Sequence, residues 1–375
     1  MKSFPLLSRR KFLKYTALGL GSLVLTPRLF QAQGFPEFPQ ADKLGRVCGI
    51  GGTGEGASFD LKKLPYADSD TTGTVFRDDV IPWLKEVVPT QFNYNYDNQR
   101  WVETDQGYIF SLFVQPVKNN PNKPVDSFPT NGSETGAWVE VTVPYVNFTI
   151  QASPPLSPWL DSINTPKPRL YYSQIMWADQ VRKDDQGQVL YRITEKYGTF
   201  GDVFWAPAEA FRLLTDEDLS PINPDAEDKK IVADLTYQQL SCFEGNNEVY
   251  YCRISSGGKY DAQGNPVDNW STPLGAQPIW RKMISTHMTG GSTGAGYDTP
   301  GIGWTSLFDS KHGAAIHSTF WHNGFGMPMS HGCINVAPDD AKWIFRWSVP
   351  WISLGAGDMT VSGMNVSTKV IVVES

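Results

Sequence analysis

Hydrophobic and polar residues alternate with a period of two along several short stretches of this chain. In residues 138–143, the apolar side chains at 139, 141 and 143 alternate with Glu140 and Thr142, as in a half-buried β-strand. Short apolar runs at 191–194, 203–208, 231–234, 248–254 and 366–373 predict further strands. The pattern therefore predicts a mainly β protein with many turns.

One stretch has a helical rather than a strand-like pattern. Residues 339–347 place apolar side chains three to four positions apart, and Pro338 suits the first helical turn. Asp339 and Asp340 are favourable close to a helix N-terminus. We therefore expect a short helix at 339–347, within the last third of the chain, and a helix-like fragment within 211–230.

The composition fits a folded protein with more than one core. The chain has 375 residues, of which 40% are hydrophobic and 19% charged, and it contains 34 Gly and 27 Pro. Turn-rich segments suggest the boundaries. We predict a linker at 34–43, a small β domain at 44–118, a linker at 119–136, a second small β module at 137–230 and a final domain at 231–375.

The first 33 residues have the composition of an export signal. Arg9 and Arg10 stand directly before an apolar run at 15–26, and the segment Ser-Arg-Arg-Lys-Phe-Leu-Lys at 8–14 resembles a twin-arginine signal. The best candidate for cleavage lies at 31–33. The resemblance implies export to the outer face of the cytoplasmic membrane, the periplasm or the cell wall, with a membrane tether only if the segment stays uncleaved.

The charge of the remaining chain excludes one class of partner. The whole sequence has a net charge of −7, and without residues 1–33 it has 26 basic and 39 acidic side chains, a net charge of −13. Nucleic-acid binding needs a basic face, so we expect no nucleic-acid partner. The oligomeric state is left open.

The four cysteines have different surroundings. Cys242 and Cys252 flank a predicted turn, so they form either a cross-strand disulfide or two buried thiols, depending on strand register. Cys48 starts a Gly-rich strand and is expected to be structural. Cys333 has no obvious mate and follows His331 by two residues, which makes it a candidate nucleophile.

The residues around Cys333 suit acyl transfer. A cysteine attacks as the thiolate, and a nearby imidazole can take its proton and later return it to a leaving amine. His317 is the candidate base, and Ser318 is the candidate group that fixes its tautomer. Gly332 lets backbone N–H groups approach a developing oxyanion. A metal site built from His317, His331 and Cys333 lacks an evident fourth ligand, so we expect no metal and no cofactor.

Two groups of residues resemble known families. The hexapeptide Ser-His-Gly-Cys-Ile-Asn at 330–335, with His317 upstream and Thr-Pro-Leu-Gly at 272–275, resembles the catalytic signature of the L,D-transpeptidases, the YkuD-type domain. Residues 314–321 resemble the first catalytic strand of that family, although the loop between His317 and Cys333 is shorter than usual. Residues 101–117 resemble a bacterial SH3-like module. The implied fold is a C-terminal β-sandwich with a short helix, preceded by one or two small SH3-like β modules.

The resemblance to L,D-transpeptidases implies a role for each matching residue. Cys333 would be the acylated nucleophile, His317 the general base and acid, and Ser318 the residue that orients His317 through its backbone carbonyl. The residues expected to shape the oxyanion region are Ser330, His331, Gly332 and Asn335. The residues expected to line the substrate crevice are Met288, Tyr297 and Trp304.

The implied reaction is peptidoglycan crosslinking. Cys333 would form a thioester with a tetrapeptide stem, D-Ala would leave, and an amine of a neighbouring stem, or water, would accept the acyl group. A non-catalytic wall-binding protein is the alternative. Papain-like and NlpC/P60-type peptidases place Cys before His in the chain, whereas His317 precedes Cys333 here.

Overall fold

The computed structural model describes ten segments of the chain. They are residues 35–49, 57–92, 98–151, 156, 168–197, 202–259, 265–267, 270–290, 297–361 and 367–375. The predicted signal segment at 1–33 lies outside these residues. Within them, no helix is both long enough and apolar enough to cross a membrane.

In the first module, the residues that the structure describes form eight short strands. They are β1 (Leu44–Val47), β2 (Ser58–Lys62), β3 (Thr71–Phe76), β4 (Val80–Pro82), β5 (Lys85–Val87), β6 (Trp101–Thr104), β7 (Gly107–Phe110) and β8 (Val114–Val117). They form a three-stranded sheet in the order β4-β1-β8 and a five-stranded sheet in the order β3-β2-β7-β6-β5. Both sheets contribute to one small apolar core, which includes Val47, Val102 and Val114. The SH3-like assignment of this module stays a prediction.

The two segments predicted as linkers are packed against the second module. Phe38, from 34–43, places its ring edge-on to the ring of Tyr145, with 5.1 Å between centroids. In 119–136, Phe128 is buried in the core of the second module, and the Val125 N–H donates to the hydroxyl of Tyr191. Their aromatic side chains fix these segments in place, because burying a Phe side chain is worth about 2 kcal/mol.

The second module has strands at the three predicted positions, 138–143, 191–194 and 203–208, together with further strands that were not predicted. Its elements, including the hairpin β9–β10, are β9 (Thr130–Asn131), β10 (Glu134–Thr135), β11 (Ala137–Val141), β12 (Tyr145–Asn147), β13 (Thr149–Ile150), β14 (Arg169–Tyr171), β15 (Ile175–Lys183), β16 (Val189–Thr194), β17 (Val203–Pro207) and β18 (Phe211–Leu213). Six of them form one sheet in the order β13-β17-β16-β15-β11-β18. A β12–β14 pair completes the module.

The described residues of the C-terminal part form ten strands and one α-helix. They are β19 (Lys229–Asp234), β20 (Gln239–Glu244), β21 (Asn247–Arg253), β22 (Gly275–Pro278), β23 (Arg281–Gly290), β24 (Tyr297–Leu307), β25 (Ala315–Ser318), β26 (Ile334–Val336), α1 (Pro338–Trp347), β27 (Asp358–Thr360) and β28 (Lys369–Val373). Two five-stranded sheets result, in the orders β21-β20-β19-β28-β22 and β26-β25-β24-β23-β27. Both sheets and α1 share one apolar core.

The sequence pattern explains why these elements form. Strand β19 buries every second residue, and α1 begins with Pro338 and turns Ala341, Ile344 and Phe345 into the core. The prediction of a mainly β protein is confirmed, and the described residues include a short helix at the predicted position.

The Cys242–Cys252 pair is present as two free, buried thiols. The register pairs Cys242 with Tyr250 and Cys252 with Leu240, so the two cysteines are diagonal neighbours across the β20–β21 hairpin rather than opposite one another. Of the two alternatives left open by the sequence, the structure contains the buried thiols. Burial raises the pKa of both groups well above the usual range for cysteine.

Candidate active site

Two adjacent parallel strands bring the predicted nucleophile and base to the same region. Strand β25 pairs with β26, with His317 opposite Asn335 and Ile316 opposite Ile334. Cys333 immediately precedes β26, so the strand alternation places it on the same sheet face as Asn335 and His317. Strand pairing thus brings together His317 and Cys333, which are 16 positions apart in the sequence.

His317 is held as a neutral base. Its side chain is 2% exposed, and its Nδ1 lies 2.9 Å from the Ser318 carbonyl oxygen. A carbonyl oxygen only accepts hydrogen bonds, so Nδ1 carries the proton and Nε2 keeps its lone pair. Burial lowers the pKa of His317 to about 4, against the weaker, opposite effect of the Ser318 carbonyl. The Ser318 hydroxyl is buried and has no hydrogen-bond partner among the described residues, so its contact with His317 is made by the backbone.

Cys333 retains partial solvent access but is present as a thiol. Burial raises its pKa to about 11, and a backbone hydrogen bond with Ala315 offsets only part of this effect. At neutral pH the pair is therefore a thiol beside a neutral imidazole. Such a pair can react only if the imidazole takes the proton as the sulfur attacks.

The turn before Cys333 is fixed by Ser330. The Ser330 hydroxyl donates to the Cys333 carbonyl oxygen over 2.6 Å and accepts from the Gly332 N–H over 3.1 Å. Gly332 has a φ of 114°, which a side chain would strain. The Gly332 N–H is thus already occupied, which leaves the Cys333 N–H as the better candidate for an oxyanion donor.

A crossing segment at 254–258 supports this turn from the other side. The Ser330 N–H donates to the Ser256 carbonyl, and the Gly258 N–H donates to the Ser330 carbonyl. The Gly257 N–H donates to the Thr272 hydroxyl over 2.9 Å. Thr272 begins the Thr-Pro-Leu-Gly element at 272–275, which therefore lies close to the turn at 330–333.

His322 is a site residue that the sequence did not reveal. It is 3% exposed, its Nδ1 accepts from the Gly324 N–H over 3.1 Å, and its Nε2 lies 3.0 Å from the side-chain amide of Asn335. Burial, with a smaller contribution from His317, lowers its pKa to about 3. His322 lies in a loop, where polar and apolar residues follow no regular period, so no sequence signal indicated its contact with Asn335.

His331 is enclosed by two aromatic rings. The Trp270 ring lies 4.1 Å from the His331 ring and the Tyr297 ring lies 5.0 Å from it, between centroids. Tyr297 was predicted from the sequence and Trp270 was not. Met288, also predicted, is half-buried in β23, opposite Thr299 of β24.

Trp304 does not line the crevice as expected. It is 1% exposed and contacts Phe345 of α1 edge-on, with 5.5 Å between ring centroids. Strand β24 is covered by α1 on one side and approached by the second module on the other: Gly303 is so close to Ile175 that a Cβ would stand 2.7 Å from its side chain. A strand buried on both faces has no alternation of polar and apolar residues, so the sequence did not show that Trp304 is buried against α1.

A family match agrees with this geometry. Residues 228–372 match the family model YkuD, described as the L,D-transpeptidase catalytic domain. This part of the chain therefore matches the catalytic domain of the L,D-transpeptidases. Among the described residues, no group of three or more His, Cys, Asp or Glu side chains is arranged to hold a metal ion.

Several solved structures are similar to parts of the chain. A mutant of the Enterococcus faecium L,D-transpeptidase has 24% identity, with 40% of this chain and 51% of that chain covered and a TM-score of 0.29. An L,D-transpeptidase from Stackebrandtia nassauensis has 17% identity, coverage of 42% and 60%, and a TM-score of 0.27. An L,D-transpeptidase from Mycobacterium smegmatis has 16% identity, coverage of 52% and 98%, and a TM-score of 0.31.

The chain thus spans about half to three fifths of the length of the first two structures. Identities and TM-scores this low add nothing to the functional assignment. No curated protein matches the chain.

Proposed function

We propose that this protein is a peptidoglycan L,D-transpeptidase that uses Cys333 as its nucleophile. The observation that carries the proposal is the pairing of β25 with β26, which sets His317 and Cys333 on one face with the His317 Nε2 lone pair available. The family match over 228–372 supports the same reaction class.

The proposed first half-reaction forms a thioester. The Cys333 sulfur attacks the carbonyl at the L-centre of the third residue of a tetrapeptide stem, while His317 Nε2 takes the thiol proton. The carbonyl oxygen becomes an oxyanion, which the Cys333 N–H stabilises. The C–N bond to D-Ala then breaks, and the leaving amine takes the proton back from His317.

The second half-reaction decides the product. An amine of a neighbouring stem attacks the thioester, loses a proton to His317, and forms the amide of a 3-3 crosslink while the sulfur leaves. Water in the same place trims the stem, which is L,D-carboxypeptidase activity. Neither step uses a metal or a cofactor.

The location of the substrate requires export. Peptidoglycan stems lie outside the cytoplasm, and the twin-arginine-like residues at 8–14 support delivery of the protein there. An SH3-like first module would then hold the enzyme at the wall, as would an uncleaved signal segment at the membrane.

The test is incubation of the purified protein with tetrapeptide stems, followed by intact-mass analysis and D-Ala detection. We expect a Cys333 acyl adduct and D-Ala release from the wild type, and neither from Cys333→Ala. Cys48→Ala is the matched control, since Cys48 is a buried thiol in the first module, and it should retain both signals. Absence of adduct and of D-Ala release from a folded wild type favours the wall-binding alternative.

Thiol alkylation does not separate these two functions at neutral pH. A thiol with a pKa of about 11 is only about one part in ten thousand thiolate at pH 7. Slow reaction with iodoacetamide is therefore expected of the enzyme as well. The acyl adduct with the peptide is the decisive observation, because its formation uses His317 as base.

A further inference from the structure

The loop between His317 and Cys333 is held by the first module, more than 200 residues earlier in the chain. The Phe320 carbonyl oxygen accepts a hydrogen bond from Arg46 Nη2 over 2.5 Å. The Asn323 side-chain amide donates to the Ser111 carbonyl over 3.2 Å. The Phe320 carbonyl is a backbone atom of the loop, and the Asn323 N–H also donates to the Leu112 carbonyl over 3.4 Å, so these contacts fix the course of the loop backbone.

Arg46 is fixed in place by several other contacts. It lies in β1, is 2% exposed, and donates to Asp78 over 2.9 Å and to Gln115 over 2.8 Å. Its guanidinium stacks on the Tyr171 ring, 4.2 Å from the centroid. Asp78, Gln115 and the Tyr171 ring together orient the guanidinium so that the second N–H of Nη2 points at the Phe320 carbonyl, while the buried Nε–H has no partner among the described residues.

The second module contacts the same loop residue. The Tyr171 ring stacks on the Phe320 ring, with 6.1 Å between centroids and 22° between planes, and the Tyr171 hydroxyl donates to Asp78 over 3.1 Å. Asp78 thereby joins Arg46 and Tyr171 into one unit around Phe320. Despite its burial, which acts in the opposite direction, Arg46 and Arg169 lower the pKa of Asp78, so this carboxylate is charged at neutral pH.

The Phe320 contact lies one residue before Trp321, which packs beside the predicted base His317. Trp321 follows Phe320, and its ring lies 5.8 Å from the His317 ring, tilted by 32°. His322, which contacts Asn335, follows in turn. A shift of the Phe320 peptide would therefore move the aromatic wall beside His317 and the support of the strand that follows Cys333.

We infer that Arg46 is a positioning residue of the active site, which acts on His317 through the Phe320 carbonyl and Trp321. The inference rests on the proposed function for its kinetic effect, although the loop contact itself does not. It makes the N-terminal half part of the catalytic apparatus and not only a means of attachment to the wall.

The test compares Arg46→Met with Arg169→Met in the full-length protein. Arg169 also pairs with Asp78, at 3.0 Å, but its other contacts among the described residues are with Tyr145 and Asn147 rather than with the loop. Hydrogen exchange of residues 318–330 should rise in Arg46→Met and stay at the wild-type rate in Arg169→Met. With tetrapeptide stems, kcat should fall about tenfold or more in Arg46→Met only, since small misplacements at a catalytic site have large effects on rate.

Unchanged exchange of 318–330 in a folded Arg46→Met protein, or an equal increase in Arg169→Met, overturns the inference. If Arg46→Met does not fold, Asn323→Ala decides, because it removes the Ser111 contact from the loop side and leaves Arg46 intact. If exchange rises as expected but the wild type does not release D-Ala, the positioning stands and the proposed function fails.

Discussion

The hydrogen bond from the Gly324 N–H fixes which ring nitrogen of His322 carries the proton. An N–H donor can approach Nδ1 only if Nδ1 is unprotonated, so the proton is on Nε2. The atom 3.0 Å from Nε2 is the Asn335 Nδ2, which cannot accept, so a protonated Nε2 requires the Asn335 amide to turn its oxygen, otherwise without a partner among the described residues, toward His322. The protonated imidazolium has no place in this arrangement, in agreement with its pKa of about 3.

A neutral buried histidine makes the stability of the protein depend on pH. In the unfolded chain His322 binds a proton below about pH 6.5, whereas in the folded protein it does not until about pH 3. The stability is thus fully present above pH 6.5 and falls as pH decreases, by about 1.4 kcal/mol per pH unit for one such group. His317 acts in the same direction, down to about pH 4.

We predict that His322→Gln reduces this acid sensitivity. Gln supplies an amide N–H in place of Nε2–H, so Asn335 keeps a donor, and nothing titrates at this position. Between pH 7.5 and pH 5 the free energy of unfolding, measured by urea titration, should fall about 2 kcal/mol less in the variant than in the wild type. An equal or steeper fall in His322→Gln would show that His322 is already protonated in the folded protein.

At the scale of the elements, the segment at 254–258 is tightly packed at Gly257. A Cβ on Gly257 would stand 1.9 Å from the Trp270 carbonyl oxygen and 2.8 Å from the Thr272 nitrogen, both backbone atoms. Such contacts cannot be relieved by a side-chain rotation, so the backbone at 270–272 must move. Trp270 contacts His331, so this movement would displace the turn at 330–333.

Gly257→Ala should accordingly lower stability and activity together. We expect a loss of about 1–3 kcal/mol in the free energy of unfolding, as for other overpacked sites. We also expect a rise in KM for the tetrapeptide stem, because the aromatic enclosure of His331 is displaced. Gly355→Ala is the control, since its glycine is exposed and its nearest neighbour would be an Asn131 side-chain atom at 3.7 Å. A Gly257→Ala protein with wild-type stability and KM contradicts this account.

The elements also show what the sequence could and could not predict. Helix α1 and strand β19 have simple amphipathic patterns, and both were predicted within about two residues. That His317 and Cys333 act together was expected through the resemblance of residues 330–335 to a known signature, but the pairing of β25 with β26 was not predicted. Trp304, His322 and Arg46 were missed or misjudged because their positions depend on contacts distant in sequence, which no local period records.

At the scale of the whole molecule, His287 joins the second module to the catalytic domain. His287 of β23 is bonded through Nδ1 to Glu195, which follows β16, and through Nε2 to Asp298 of β24. Although burial acts in the opposite direction, these two carboxylates raise the pKa of His287 above its usual value. Lys196 and Tyr197 line the same small cavity, and Lys196 is paired with Glu134 at 2.8 Å.

This contact has the opposite pH dependence to that of His322. A histidine whose pKa is raised on folding contributes stability that is fully present below about pH 6.5 and is lost as pH rises through the folded value. We predict that His287→Gln costs about 2 kcal/mol of unfolding free energy at pH 6, where the imidazolium lies between two carboxylates. The cost should be smaller at pH 9 than at pH 6, because rising pH removes the proton that makes His287 an imidazolium between the two carboxylates. Urea titrations of the two proteins at both pH values measure the difference, and a cost that stays constant or grows with pH would mean that His287 joins the modules as a neutral ring.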